Sequence, residues 1–175
     1  MQYYSGTGDG GDTTIAGGKV PKNSSVIKAL GDIDELSAFL GSSISKLRYG
    51  SAKTAINEIQ RALYRISGEL SGYSGLKENN SAKKIDGNDV KSLEDGIKTF
   101  SEGLPDLTKF IYPNGTDAAT SVNICRAVAR RAERSVVETG VASEPMLKYM
   151  NRLSSFLFIL FRHLNRMDNT KEEMF

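Results

Sequence analysis

The chain has 175 residues, with 23 basic and 21 acidic side chains and a formal net charge of +2. That length fits one domain with a sizeable core, and the charge balance argues against a dedicated nucleic-acid binder. A single cysteine, Cys125, excludes an internal disulfide or a CxxC site, and a single histidine, His163, excludes a His-rich zinc centre.

Six of the first 18 residues are glycine, interleaved with Thr and Asp, so residues 1–21 read as a Gly-rich loop, mobile when empty. The opening MQYYSGTGDGGDTT has neither a basic nor an apolar leader region, and no apolar run approaches the roughly 18 residues that span a bilayer. A cytoplasmic protein without membrane attachment is expected. Residues 22–175 read as one helical domain. Leu30, Ile33, Leu36, Leu40, Ile44 and Leu47 step by three or four, the mark of one helix face. Gly50 and Ser51 interrupt the pattern, and Ile56, Ile59, Leu63, Ile66 and Leu70 resume it. Residues 74–87 are a polar connection. A weaker helix over 88–103 is carried by Val90, Leu93, Ile97 and Phe100, and LPDLTKFIYPNGTD, with two prolines, reads as an ordered loop.

A fourth helix starts near Thr116 or Asp117, either of which can cap it, and ends at Gly140. Its seam is Ala118, Val122, Cys125, Ala129, Ala132 and Val136. A fifth runs from about Glu144 to Arg166. Its FLFILF run is apolar on every side, so this helix is either central or shared with another subunit. No convincing strand pattern is present. The expected fold is all-α, a five-helix antiparallel up-down bundle behind a Gly-rich N-terminal loop.

Two segments carry unusual chemistry. Thr7-Gly8-Asp9-Gly10-Gly11-Asp12-Thr13-Thr14 offers backbone N–H groups and hydroxyls that can cradle phosphates, with Lys22 close behind. No Gly-Lys-Ser/Thr triplet follows, so it is not a Walker A loop, and by itself a flexible tail has the same composition. Arg126, Arg130, Arg131 and Arg134 place four arginines in nine residues of the fourth helix. Arg126, Arg130 and Glu133 fall within about 60° of one another around it. Arginine forks suit carboxylate or phosphate, although a solvated basic face has the same pattern. His163 and Cys125 read as structural, and no metal-ligand set is predicted.

Together these segments resemble the PduO-type ATP:cob(I)alamin adenosyltransferases, over nearly the whole chain and in order. YYSGTGDGGDTT looks like the family's Y-T-x-T-G-D-x-G-x-T loop. GGKVPKNSSVIKALGDIDELSAFLG, FIYPNGTDAATSVNICRAVARRAERSVV and YMNRLSSFLFILFR resemble its next three blocks. The resemblance implies a homotrimer with ATP and corrinoid sites between subunits. It implies transfer of the 5′-deoxyadenosyl group of ATP, with Mg²⁺, to the cobalt of reduced cobalamin, releasing triphosphate. It also allows a reductase partner that supplies electrons.

By the same resemblance, Thr7, Gly8, Asp9, Gly10, Thr13 and Thr14 would wrap the triphosphate, and Lys22 would neutralise part of it. Arg130, Arg131, Glu133 and Arg134 would line the nucleotide site, with Arg126 beside them and Asn151 reaching in from the fifth helix. Asp34 would pair with Arg130 across a subunit boundary, and Phe110 would sit against the corrinoid and help remove its lower ligand. Arg130, Asp34, Arg126 and Phe110 are thus the expected catalytic set. The sequence departs from the family pattern at Gly6, Val26, Asn114, Asn123 and Ser155. Asn123 and Ser155 bear on the corrinoid side and leave a second expectation open: a non-catalytic trimeric sensor or carrier of nucleotide or corrinoid on the same scaffold.

Overall fold

The structure, a computed structural model, describes residues 4–73 and 83–175. Residues 1–3 of the opening loop and 74–82 of the expected connection lie outside the described residues. The helical seams become α1 (Ser25–Ile44), α2 (Gly50–Leu70), α3 (Gly87–Ser101), α4 (Asp117–Glu138) and α5 (Glu144–Met167). Three of the starts, those of α1, α3 and α4, carry a side-chain cap. The Ser24 hydroxyl accepts the Ile27 amide at the head of α1. Asp86 and Asp89 form a reciprocal capping box on α3. At α4 the cap is Thr116, whose hydroxyl accepts the Ala119 amide at 3.2 Å. Gly50 begins α2 instead of standing in a gap, so the link from α1 is only residues 45–49.

The helices lie side by side in the spatial order α2, α1, α4, α5, α3. Contacts Lys28–Glu138 and Ser135–Asp32 run α1 antiparallel to α4, and Asn151–Glu133 with Asn165–Thr116 run α4 antiparallel to α5. The buried core joins Ile33, Leu36 and Leu40 of α1 to Ile56, Leu63 and Ile66 of α2 and to Leu153, Leu157 and Leu160 of α5. The small seam of α4, with Cys125, Ala129 and Ala132 fully buried, lets α1 and α5 close on it from both sides. FLFILF lies mostly inside: Phe156, Leu157, Leu160 and Phe161 are buried, and Phe158 and Ile159 are half-buried. Among the described residues no helix is long and apolar enough to cross a membrane.

The expectation that the chain holds no strand needs correcting in the opening segment. Strands β1 (Asp12–Ile15) and β2 (Gly18–Pro21) pair antiparallel, with Thr13 opposite Val20 and Thr14 opposite Lys19. β-branched Thr13, Thr14, Ile15 and Val20 favour the extended backbone, and Ala16-Gly17 makes a two-residue turn. Four-residue strands are too short to declare an alternation.

Candidate functional site

The opening segment folds on itself. The amides of Asp9 and Gly11 donate to the carbonyls of Gly6 and Gly8, and the Lys22 amide donates to the Gly11 carbonyl at 2.8 Å. These bonds bring the Thr7–Gly11 turn beside Lys22. A Cβ at position 8 would lie 2.9 Å from the Lys22 ammonium, so the turn and that side chain are close neighbours, and Gly11, at φ +86, favours glycine. Gly10 has open space around it. Thr7, Gly8, Asp9, Gly10, Thr13, Thr14 and Lys22 therefore form one local unit, rich in N–H and hydroxyl donors with an ammonium at its edge. The hairpin tip is moored to the bundle by the Gly17 amide, which donates to the Ser71 carbonyl at the end of α2 at 2.8 Å.

The second group lies on α4 and its neighbours. Asn151 donates from Nδ2 to Glu133 Oε1 at 3.0 Å, so the α4 and α5 candidates meet directly. Arg134 turns back onto the Arg130 carbonyl at 2.9 Å. Arg131 leans the other way and pairs with Glu35 and Asp32 of α1, which raises its pKa; the Glu35 hydrogen bond is the main cause. Arg130 and Asp34 are both exposed, and neither has an ion-pair partner among the described residues. One chain does not bring them together. Exposed Phe39 and Ile124 follow the Glu35 and Arg131 stripes at helical spacing, so this flank of α1 and α4 is apolar as well as charged.

The third group surrounds Phe110. Its side chain is 86% exposed and helps line a cavity of about 650 Å³ with Leu107, Arg126 and Phe158. Arg126 is held there by Asn123, 8% exposed, whose Oδ1 accepts the Arg126 Nε–H at 2.6 Å. Burial, and then the charge of Arg130, lower the Arg126 pKa, yet a guanidinium stays charged at any working pH. Asn123, a departure from the family pattern, thus aims Arg126 into the same cavity as Phe110. Ser155 is exposed on α5.

His163 is structural, as expected: Nδ1 lies 3.1 Å from the Phe100 carbonyl, and its ring meets Phe100 edge-on at 5.0 Å. Cys125 is fully buried, and burial pushes its thiol up to about 11. The sequence reading missed what fastens the Phe110 segment. Arg162 and Asn165, 5% and 1% exposed, reach from α5 to the backbone of the α3–α4 connection. Arg162 reads in sequence as the polar end of an apolar run, and its acidic partner lies beyond the helix.

The family described as "Cobalamin adenosyltransferase" matches residues 3–164 of the chain. A protein of Cupriavidus metallidurans named "Cobalamin adenosyltransferase" is 40% identical over 167 residues, covering 91% of this chain and 86% of its own. "Corrinoid adenosyltransferase" of Bacillus subtilis is 33% identical over 172 residues, covering 94% and 87%. A solved variant of the PduO-type ATP:corrinoid adenosyltransferase from Lactobacillus reuteri, complexed with cobalamin and ATP, superposes with TM-score 0.89 at 26% identity and covers 99% of both chains.

Proposed function

The chain belongs to the cobalamin adenosyltransferase family, and from that premise we propose that it is an ATP:corrinoid adenosyltransferase working through the three groups just described. The cobalt(I) of a reduced corrinoid attacks C5′ of ATP, the C5′–O bond breaks, and its electron pair leaves with triphosphate. Cobalt(I) is itself the nucleophile, so the protein's tasks are orientation and charge stabilisation. The observation that carries this reading is the shared cavity of Phe110 and Arg126, seven residues along α4 from the Glu133–Asn151 pair.

The residue roles follow from chemistry and resemblance together. The turn Thr7–Gly11, Thr13, Thr14 and Lys22 wrap the triphosphate. Glu133, Asn151, Arg130, Arg131 and Arg134 form the nucleotide wall, and Phe110 and Arg126 face the corrinoid. Mg²⁺ arrives on the nucleotide. Phosphate oxygens and water supply most of its ligands, as is usual for nucleotide-bound Mg²⁺. Exposed Asp34 and Arg130, with Phe39 and Ile124 beside them, support a homotrimer in which Asp34 of one subunit meets Arg130 of the next. A reductase supplies the electron that makes cobalt(I), in a cytoplasmic setting.

Purified protein given MgATP and chemically reduced cobalamin is expected to form adenosylcobalamin and triphosphate in equal amounts. Binding of both substrates without product would instead identify a carrier or sensor, the reading that Asn123 and Ser155 leave open.

A further inference from the structure

Residues 168–175, beyond α5, are bound to the segment that carries Phe110. The Tyr112 amide donates to the Glu173 carbonyl at 2.9 Å, and the Phe175 amide donates to the Phe110 carbonyl at 3.0 Å. Ile111 and Met174 form an antiparallel bridge, and the rings of Tyr112 and Phe175 stack with centroids 3.8 Å apart. These contacts make a short two-stranded clasp with Phe110 at its rim.

The clasp is anchored by one ion pair. The Arg162 fork donates from Nε to Glu172 Oε1 at 2.7 Å and from Nη2 to Glu172 Oε2 at 2.9 Å. Nη2 also donates to the Pro105 carbonyl at 2.7 Å. The two side chains are 5% and 13% exposed. One buried guanidinium thus holds both the start of the Phe110 segment, at Pro105, and the strand that pairs with it. Asn165 secures the far end: its Nδ2 donates to the Asn114 carbonyl at 3.0 Å and its Oδ1 accepts the Thr116 amide at 3.1 Å. Desolvating a guanidinium and a carboxylate is costly, and a pair of methionines would hold the fold as well. What the fork adds is direction, three donor–acceptor vectors fixed at once.

We propose that Arg162 and Glu172 are positioning residues that set the Phe110 ring at its cavity through the clasp of residues 172–175. The proposal rests on the corrinoid role given to Phe110 above. Neither side chain touches a substrate; they act through Phe110. A small displacement of a positioned group costs rate more than binding, so the effect belongs in kcat.

The test uses the full chain with Glu172→Gln, Arg162→Lys and the double change Arg162→Met/Glu172→Met. The methionine pair leaves no unpaired buried charge and keeps the fold. Hydrogen exchange is read first, without substrates. Protection of the Tyr112 and Phe175 amides is expected to fall by about tenfold or more in each variant, while the Ala129 amide in α4 is unchanged. Unchanged protection at Tyr112 and Phe175 overturns the clasp even if the wild type proves inactive; an inactive wild type with normal protection overturns only the catalytic reading. In the active protein, kcat is expected to fall about 10- to 100-fold with KM for ATP within about twofold. Glu172→Gln added to Phe110→Ala is expected to slow turnover no further than Phe110→Ala alone. Losses that add up in that double variant overturn the proposal, because they show a route that bypasses Phe110.

Discussion

Arg130 sits beside the Glu133–Asn151 contact with its own fork unengaged by an acid among the described residues. A guanidinium in that position can serve a phosphate and a neighbour's carboxylate together, because its donors diverge while its charge stays fixed. Arg130→Lys keeps the charge and loses the fork, so turnover is expected to fall measurably. Arg130→Ala is expected to cost about 10²-fold in kcat, as loss of one charge-stabilising donor does. Lys46→Ala, on the exposed residues after α1, is the control and is expected to match wild type in the same assay. Cys125 gives a second test. Its thiol is raised to about 11 against an ordinary 9.0, so the folded protein holds that proton longer than the unfolded chain. Stability from this group is complete below about pH 9 and is lost as pH climbs towards 11. Melting temperature is expected to drop over that window, and to drop less in Cys125→Ala.

Among the elements, α3 is the one least supported by its own apolar stripe and most dependent on its start. Asp89 accepts the Asp86 amide at 3.0 Å and takes both arms of the Arg65 fork at 3.1 and 2.5 Å. Asp89→Ala removes half of the capping box and leaves Arg65, 12% exposed, without its partner. The expected loss is about 3 kcal/mol, a drop of roughly 6–12 °C in calorimetry. The five helices were legible because seams such as Ile56–Ile59–Leu63–Ile66 repeat at helical spacing over several turns. The hairpin was not, because four-residue strands flanked by glycine leave too few positions for a period to register. The Thr7–Gly11 turn was legible as composition, but its closure by the Lys22 amide on Gly11 is a tertiary fact. The clasp was hidden for the same reason: Glu172 finds Arg162 only after the chain reverses at Asn169, whose φ is +52. For the hairpin itself, MgATP is expected to raise amide protection over residues 5–22 in hydrogen exchange, since ligand contacts replace a core that the segment lacks. Equal protection with and without nucleotide would separate the hairpin from the binding site.

On the scale of the molecule, the proposed homotrimer would cover the α1–α4 flank, where Asp34 and Arg130 have no ion-pair partner among the described residues and Phe39 and Ile124 are exposed. Sedimentation of the purified protein is expected to give three times the chain mass, and Asp34→Arg is expected to shift that distribution towards monomer. A wild type that sediments as a monomer would overturn the proposed pairing of Asp34 with Arg130 between subunits. The departures at Asn123 and Ser155 fall outside this flank's charge pairing. Asn123 lies under Arg126 and Ser155 on the exposed side of α5.

The placement of Arg126 and Glu133 on a single uninterrupted helix has a metrical consequence. Seven residues are close to two turns, so the two side chains point the same way about 10 Å apart along the axis. A buried alanine seam gives α4 no room to flex between them. On the proposed function the helix would work as a gauge block, with the nucleotide seated at one end, the corrinoid at the other and the interval set by backbone geometry rather than by either guest. Substrates altered away from their reacting atoms slide past such a gauge unnoticed. An ATP lengthened by one methylene between ribose and triphosphate would still be held at the Glu133 end, and its carbon would stand out of register with the metal.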